Sequence, residues 1–97
     1  MLNPSSNSVL STELTPIFTN AKSFHGKAKI LIFDDNEKQL FSYDTLVITH
    51  YPDNKIKLHG YYSATTAKHI NEYLQQVGRN KLSKKEIENI AENGETI

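Results

Sequence analysis

Cysteine is absent from the 97-residue sequence, and its absence excludes several kinds of site at once. Without a thiol the chain has no disulfide, no thiolate nucleophile and no cysteine-bound zinc. The sequence also lacks any run near the roughly 18 apolar residues that a membrane span requires. Its first ten residues have neither the basic start nor the apolar stretch of a secretory signal. We therefore expect a cytoplasmic protein with no membrane partner.

An excess of charge of either sign is also missing. Eleven Lys and Arg residues balance eleven Asp and Glu residues, so the formal net charge is zero. Proteins that bind the phosphates of duplex DNA usually carry a marked basic excess, so duplex DNA is not the expected partner. The composition, 37% hydrophobic and 23% charged, is that of one small soluble domain.

Recognisable catalytic and metal-binding motifs are missing as well. The carboxylates of residues 34–37 lack the glycine and the distal glutamate of a calcium loop. A Ser–His–Asp set can be drawn from Ser42, His69 and Asp44, but no nucleophile elbow or oxyanion hole accompanies it. We predict no catalytic residue, no metal and no cofactor. No H-x-x-H or H-E-x-x-H spacing occurs among the four histidines, which are His25, His50, His59 and His69.

Alternating apolar residues predict three β-strands in the middle of the chain. They cover residues 29–33, 39–51 and 55–60, with turn sequences between them at 34–37 and 52–54. Such short turns favour an antiparallel meander. Residues 1–14 are rich in Ser and Asn and carry few large apolar groups, so we expect them to form a flexible N-terminal tail.

Two helices are predicted after the strands. Residues 63–77 carry an apolar stripe at helical spacing and are followed by Gly78, a usual residue after a helix. Ser83 and Glu86 form the sequence of a capping box, which begins a shorter helix. The predicted fold is α+β, with a three-stranded meander packed by one amphipathic helix in residues 15–80 and a short C-terminal helix and tail in 81–97. The predicted core is Ile30, Ile32, Leu46, Ile48, Leu58, Ile70 and Leu74, with Phe24 and Phe33 at its margins.

The stretch YYSATTAKH contains the candidate binding site. Ser63 stands where the first helix begins, and a serine at this position accepts hydrogen bonds from unpaired backbone N–H groups. That structural role is our first interpretation. A helix N-terminus also attracts anions, so the same side chains could bind a phosphate or an acidic partner, although no glycine-rich loop precedes them. The candidate residues are Tyr61, Tyr62, Ser63, Thr65, Thr66, Lys68 and His69.

Three segments, KSFHGKAKI, FSYDTLVITH and GYYSATTAKHINEYLQQVG, resemble a small uncharacterised family carried by bacteriophages and other mobile elements. Members of that family share the patterns SFxGKA, SYxTxVA and YSxTTxxHIxxFL, and the resemblance covers residues 23–78. The sequence departs from them at Ile48, where the family has alanine, and at Tyr73, where phenylalanine is commoner. The resemblance implies a genomic setting and no activity, cofactor or catalytic residue. The matching residues are Ser23, Phe24, Gly26, Lys27, Ala28, Ser42, Tyr43, Thr45, Val47, Tyr62, Ser63, Thr65, Thr66, His69, Ile70 and Leu74.

Two functions remain open at this point. The first is a small non-catalytic accessory protein that binds a host protein in the bacterial cytoplasm, for example as an anti-CRISPR-like inhibitor of a defence system. The second is a nucleic-acid-binding accessory protein that stacks bases on tyrosines near lysines. The sequence does not fix the oligomeric state. The residues of the second interpretation are Tyr43, Tyr51, Tyr61, Tyr62, Lys55, Lys57 and Lys68.

Overall fold

The computed structural model describes residues 8–60 and 63–97, the side chains of residues 8 and 9 excepted, and has the α+β class that the sequence predicts. One antiparallel sheet has the strand order β1-β2-β3-β4-β5. Two helices follow it, and in the described part of the chain neither is long and apolar enough to cross a membrane. The elements are β1 (Ser8–Glu13), β2 (Ala28–Phe33), β3 (Lys38–Ser42), β4 (Thr45–His50), β5 (Ile56–Leu58), α1 (Ala64–Gln76) and α2 (Lys84–Asn93).

The predicted long strand at 39–51 is wrong, because it is a hairpin of two strands. Ser42 pairs with Thr45, and the two residues between them have left-handed φ angles of 52° at Tyr43 and 69° at Asp44. Positive φ at both central residues is the conformation of the tight two-residue hairpin turn. Tyrosine is an unusual residue in such a turn. The sequence therefore shows no turn signal at Tyr43, and the alternating pattern of a strand runs through it without a break.

The predicted tail at 1–14 is also wrong in part, because β1 lies within it. Ser8–Glu13 pairs antiparallel with β2 and brings the strand count to five instead of three. Leu14 fixes the end of β1, since its side chain is 2% exposed and its N–H donates to the carbonyl of Ala28 at 2.9 Å. The Ser- and Thr-rich sequence of β1 suits a solvated edge strand that gains its order from backbone pairing.

The core lies between the helices and the β3–β5 half of the sheet. Four predicted core residues are buried, namely Ile48, Leu58, Ile70 and Leu74, whereas Ile30, Ile32 and Leu46 are half-buried. Ile30 and Ile32 belong to β2, which lies beside the β1 edge of the sheet, whereas the helices contact β3 and β5. At Leu46 the β3–β4 register shifts, and the neighbouring Val47 is buried instead. The buried apolar residues also include Leu40, Ile56, Tyr73 and Ile87.

The predicted helix boundaries are confirmed at three positions. Ser63 caps α1, with its hydroxyl oxygen accepting the N–H of Thr66 at 3.1 Å. Gly78 follows α1 with a φ of 86°, which glycine adopts without strain. Ser83 and Glu86 form the complete capping box of α2. Beyond α2 the chain returns to the sheet, where Ile97 exchanges two backbone hydrogen bonds with Ile56 at 2.8 and 2.9 Å.

Candidate functional site

The candidate residues of α1 divide between its inner and its outer side. Thr66 and His69 are buried, whereas Ser63, Thr65 and Lys68 are exposed. Tyr61 and Tyr62 lie outside the described residues. The predicted set therefore does not form one surface, and its exposed members are the ones available to a ligand.

The inner members form a buried polar cluster with β3. Ser42 Oγ lies 2.8 Å from His69 Nδ1 and 3.1 Å from Thr66 Oγ1. The His69 ring also packs edge-on against Phe24, with 4.6 Å between the ring centroids. Burial, reinforced by the charge of Lys68, lowers the pKa of His69 from its ordinary 6.5 and so favours the neutral ring. Ser42 is 1% exposed, so its contact with His69 joins β3 to α1 and is closed to solvent.

Glu72 is a buried charged residue that the sequence pattern did not predict. Its carboxylate is fully buried and accepts backbone N–H groups of three consecutive residues, Ile17 at 3.0 Å, Phe18 at 3.1 and 3.2 Å and Thr19 at 3.0 Å. Gln76 Nε2 donates a further hydrogen bond at 2.6 Å. Burial raises the pKa of Glu72, but these hydrogen bonds outweigh it and hold the pKa below its ordinary value. An ionised carboxylate thus fixes the loop of residues 17–19.

The neighbouring residue of α1 holds a second segment. Asn71 Nδ2 donates to the carbonyl of Leu82 at 2.9 Å, and the Leu82 N–H donates to Asn71 Oδ1 at 2.8 Å. This two-bond contact fixes the segment between α1 and α2. Gln76 adds a hydrogen bond to the carbonyl of Thr15 at 2.7 Å on the other side. Consecutive side chains of one helix therefore hold two chain segments that are far apart in sequence.

A groove of about 360 Å³ lies along α1 between these two segments. Two of its described lining residues are lysines and none is acidic. Thr19 is one of the lining residues, but its hydroxyl oxygen is buried from solvent and, among the described residues, has no hydrogen-bond partner. The described lining residues are Phe18, Thr19, Asn20, Ala64, Ala67, Lys68, Asn71, Gln75 and Lys81.

Two large apolar side chains stand exposed beside the groove. Ile17 is 69% exposed and Phe18 is 54% exposed, although the backbone of both is bound by Glu72. Adjacent exposed apolar side chains are a common mark of an interaction site. We call Ile17, Phe18 and the groove the loop–groove surface.

Two of the three remaining histidines, His50 and His59, have side-chain hydrogen-bonding partners within the fold, whereas His25 is exposed. His50 lies 2.7 Å from the Tyr73 hydroxyl and 2.7 Å from Asn54 Oδ1, and His59 lies 2.8 Å from Thr49 Oγ1. His50 and His59 therefore do not face each other across the β4–β5 turn. Within residues 8–60 and 63–97, no three His, Asp or Glu side chains are placed to hold a metal ion.

A family model described as "Family of unknown function (DUF8033)" matches residues 12–89. The chain belongs to this family. The DUF8033 match begins in β1 and ends in α2, so it includes the buried cluster, Glu72 and both sides of the groove. No curated protein and no solved structure matches the chain significantly.

Proposed function

We propose that the protein is a non-catalytic binding module whose contact with another protein is made by the loop–groove surface. The observation that carries this proposal is the buried carboxylate of Glu72, which holds a loop whose apolar side chains face solvent. Burying a carboxylate is costly unless it is fully hydrogen-bonded. Ile17 and Phe18 add little to the core, so we interpret the fixed loop as one that presents these two side chains to a partner rather than as part of the core packing.

Rigidity of the loop favours binding for a general reason. A partner that meets a fixed loop does not have to order it, so less of the contact energy is lost to chain entropy. Exposed aromatic and aliphatic side chains on such loops serve as the anchors of many protein interfaces. The exposed part of the predicted site, Ser63, Thr65 and Lys68, lies on the same helix, and Lys68 lines the groove.

The biological setting we propose is that of an accessory protein of a bacteriophage or mobile element. It would act in the cytoplasm of the bacterial host by binding a host protein, for example as an anti-CRISPR-like inhibitor of a defence system. This setting rests on the predicted resemblance of residues 23–78 to proteins of mobile elements. Three of the resembling residues, Ser42, Thr66 and His69, form the cluster that joins β3 to α1 and so belong to the scaffold.

A pull-down with matched variants tests the proposed surface. The double variant Ile17→Ser, Phe18→Ser removes both exposed anchors, and Leu10→Ser removes an equally exposed residue, 61%, on β1. Each protein is used as bait in nuclease-treated bacterial lysate after circular dichroism has confirmed its fold. We expect the double variant to lose a captured protein that wild type and Leu10→Ser retain. Equal capture by all three would contradict the proposal.

Nucleic-acid binding is a second candidate, supported by one small surface. The ammonium group of Lys27 lies 5.5 Å from the centre of the Tyr43 ring, and Tyr43 is 48% exposed. An aromatic ring beside lysines is the usual platform for single-stranded bases. However, Tyr43 precedes β4 and Tyr51 follows it, so the six residues of the strand separate them by about 20 Å at about 3.3 Å per residue, and they cannot share one stack. Steep loss of oligonucleotide binding with added salt, and its loss in Tyr43→Ala, would favour this candidate.

A further inference from the structure

We infer that the groove receives an extended acidic segment of the partner protein, with carboxylates near Lys68 and Lys81; this inference rests on the proposed function. The charge of the groove is the first reason. The whole chain has zero formal charge, yet the described groove lining holds these two lysines and no acidic residue. The positive character is therefore local, and complementary charge is a principal source of specificity in protein contacts.

The first turn of α1 adds to the positive character at one end of the groove. Ala64, the first residue of the helix, lines the groove, and the first turn carries no acidic side chain. The partial positive charge of a helix N-terminus is therefore not compensated from within the helix. The N-cap hydroxyl of Ser63 takes the N–H of Thr66, and Lys68 follows one turn later on the groove side. A carboxylate at this end would meet both the helix terminus and an ammonium group.

The dimensions and the remaining lining favour a peptide over a small anion. From Ala64 to Gln75 the groove follows α1 for about 16 Å, the length of about five extended residues. Its floor of Ala64 and Ala67 and the Phe18 ring at its edge offer apolar contacts that a free phosphate cannot use. We therefore expect acidic residues alternating with apolar ones.

Selection from a random heptapeptide library tests this inference without knowledge of the natural partner. Peptides enriched on the wild-type protein are synthesised with a fluorescent label, and their affinities are measured by anisotropy at low and high salt. Three double variants are compared with wild type. The groove reversal is Lys68→Glu with Lys81→Glu, and the control reversal of equal net charge is Lys55→Glu with Lys85→Glu. The third variant is Ile17→Ser with Phe18→Ser. Lys55 and Lys85 are exposed and lie outside the groove.

We expect enriched peptides to be rich in Asp and Glu beside aliphatic or aromatic residues. The groove reversal should weaken their binding roughly tenfold or more, and the control reversal should leave it within about threefold of wild type. Three outcomes would overturn the inference. The selection could enrich neutral or basic peptides, or both charge reversals could weaken peptide binding equally. A single-stranded oligonucleotide could also displace the peptides at a similar concentration. Peptides that lose affinity in the Ile17–Phe18 variant but not in the groove reversal would overturn this inference alone and leave the proposed function standing. A selection whose peptides respond to neither variant would overturn both.

Discussion

Replacing Glu72 with alanine should release the loop that carries Ile17 and Phe18. The change leaves three consecutive backbone N–H groups without their acceptor. A buried donor without a partner costs about 1–3 kcal/mol, which gives an upper limit of about 9 kcal/mol for three. Because the loop can move outward and hydrate these groups, we expect a loss of about 2–4 kcal/mol in the free energy of unfolding. That is a large share of the about 5–15 kcal/mol that stabilises a typical domain.

Urea unfolding followed by circular dichroism measures this loss, and two variants control it. Glu72→Gln keeps one acceptor oxygen but loses the charge, so it should fall between wild type and alanine. Glu92→Ala removes an exposed glutamate and should stay within about 0.5 kcal/mol of wild type. Amide resonances of residues 17–19 should shift in both Glu72 variants. A Glu72→Ala protein as stable as Glu92→Ala, with those amide resonances unchanged, would refute the reasoning.

Three further predictions concern pH and the helix cap. The pKa of Glu72 is lowered in the folded state, so the carboxylate stabilises the fold above its ordinary pKa of 4.5. This stabilisation is lost as the pH falls through the folded-state pKa. The difference in the free energy of unfolding between wild type and Glu72→Gln should therefore shrink in acid. The pKa values of His59 and His69 are lowered from 6.5 in the folded state, so the unfolded chain binds protons first as the pH falls. The free energy of unfolding should therefore decrease as the pH is lowered from 6.5. Urea midpoints measured over this range should show a smaller decrease for His69→Asn. Ser63→Ala should lower the free energy of unfolding by about 1 kcal/mol, because the helix loses its cap. Ser63→Asp should keep the melting temperature but weaken the binding of acidic peptides, because a carboxylate also caps the helix and repels them. Unchanged peptide affinity in the aspartate variant would argue against an acidic partner at that end of the groove.

Local signals in the sequence predict those parts of the fold that local chemistry determines. The caps at Ser63 and Ser83 depend on side chains within three residues of the helix start, and both are confirmed. The turn at Tyr43 and Asp44 is not predictable in this way, because neither glycine nor asparagine marks its positive φ angles. Its consequence is large, since one predicted strand becomes two.

The loop–groove surface could not be predicted, because its contacts connect distant parts of the chain. Glu72 binds N–H groups that are 53 to 55 residues away in sequence. Within α1 it resembles any glutamate of a helix surface, and no local spacing distinguishes it. Lys68 was predicted as a binding residue from the helix start, and among the described members of that set it is the one that lines the groove. The other side of the groove, near Phe18, carries no signal in the local pattern.

The way in which Glu72 holds its loop separates the path of the loop from the identity of its side chains. The carboxylate binds main-chain N–H groups, which every residue except proline supplies. Ile17 and Phe18 could therefore be exchanged for other residues while the loop keeps its course. On the opposite flank, Asn71 likewise binds the backbone of Leu82 and not its side chain. Adjacent helix positions point about 100° apart, so α1 sets the spacing of both segments whatever residues they carry. The side chains at both edges of the groove can thus vary while the path of each segment stays the same.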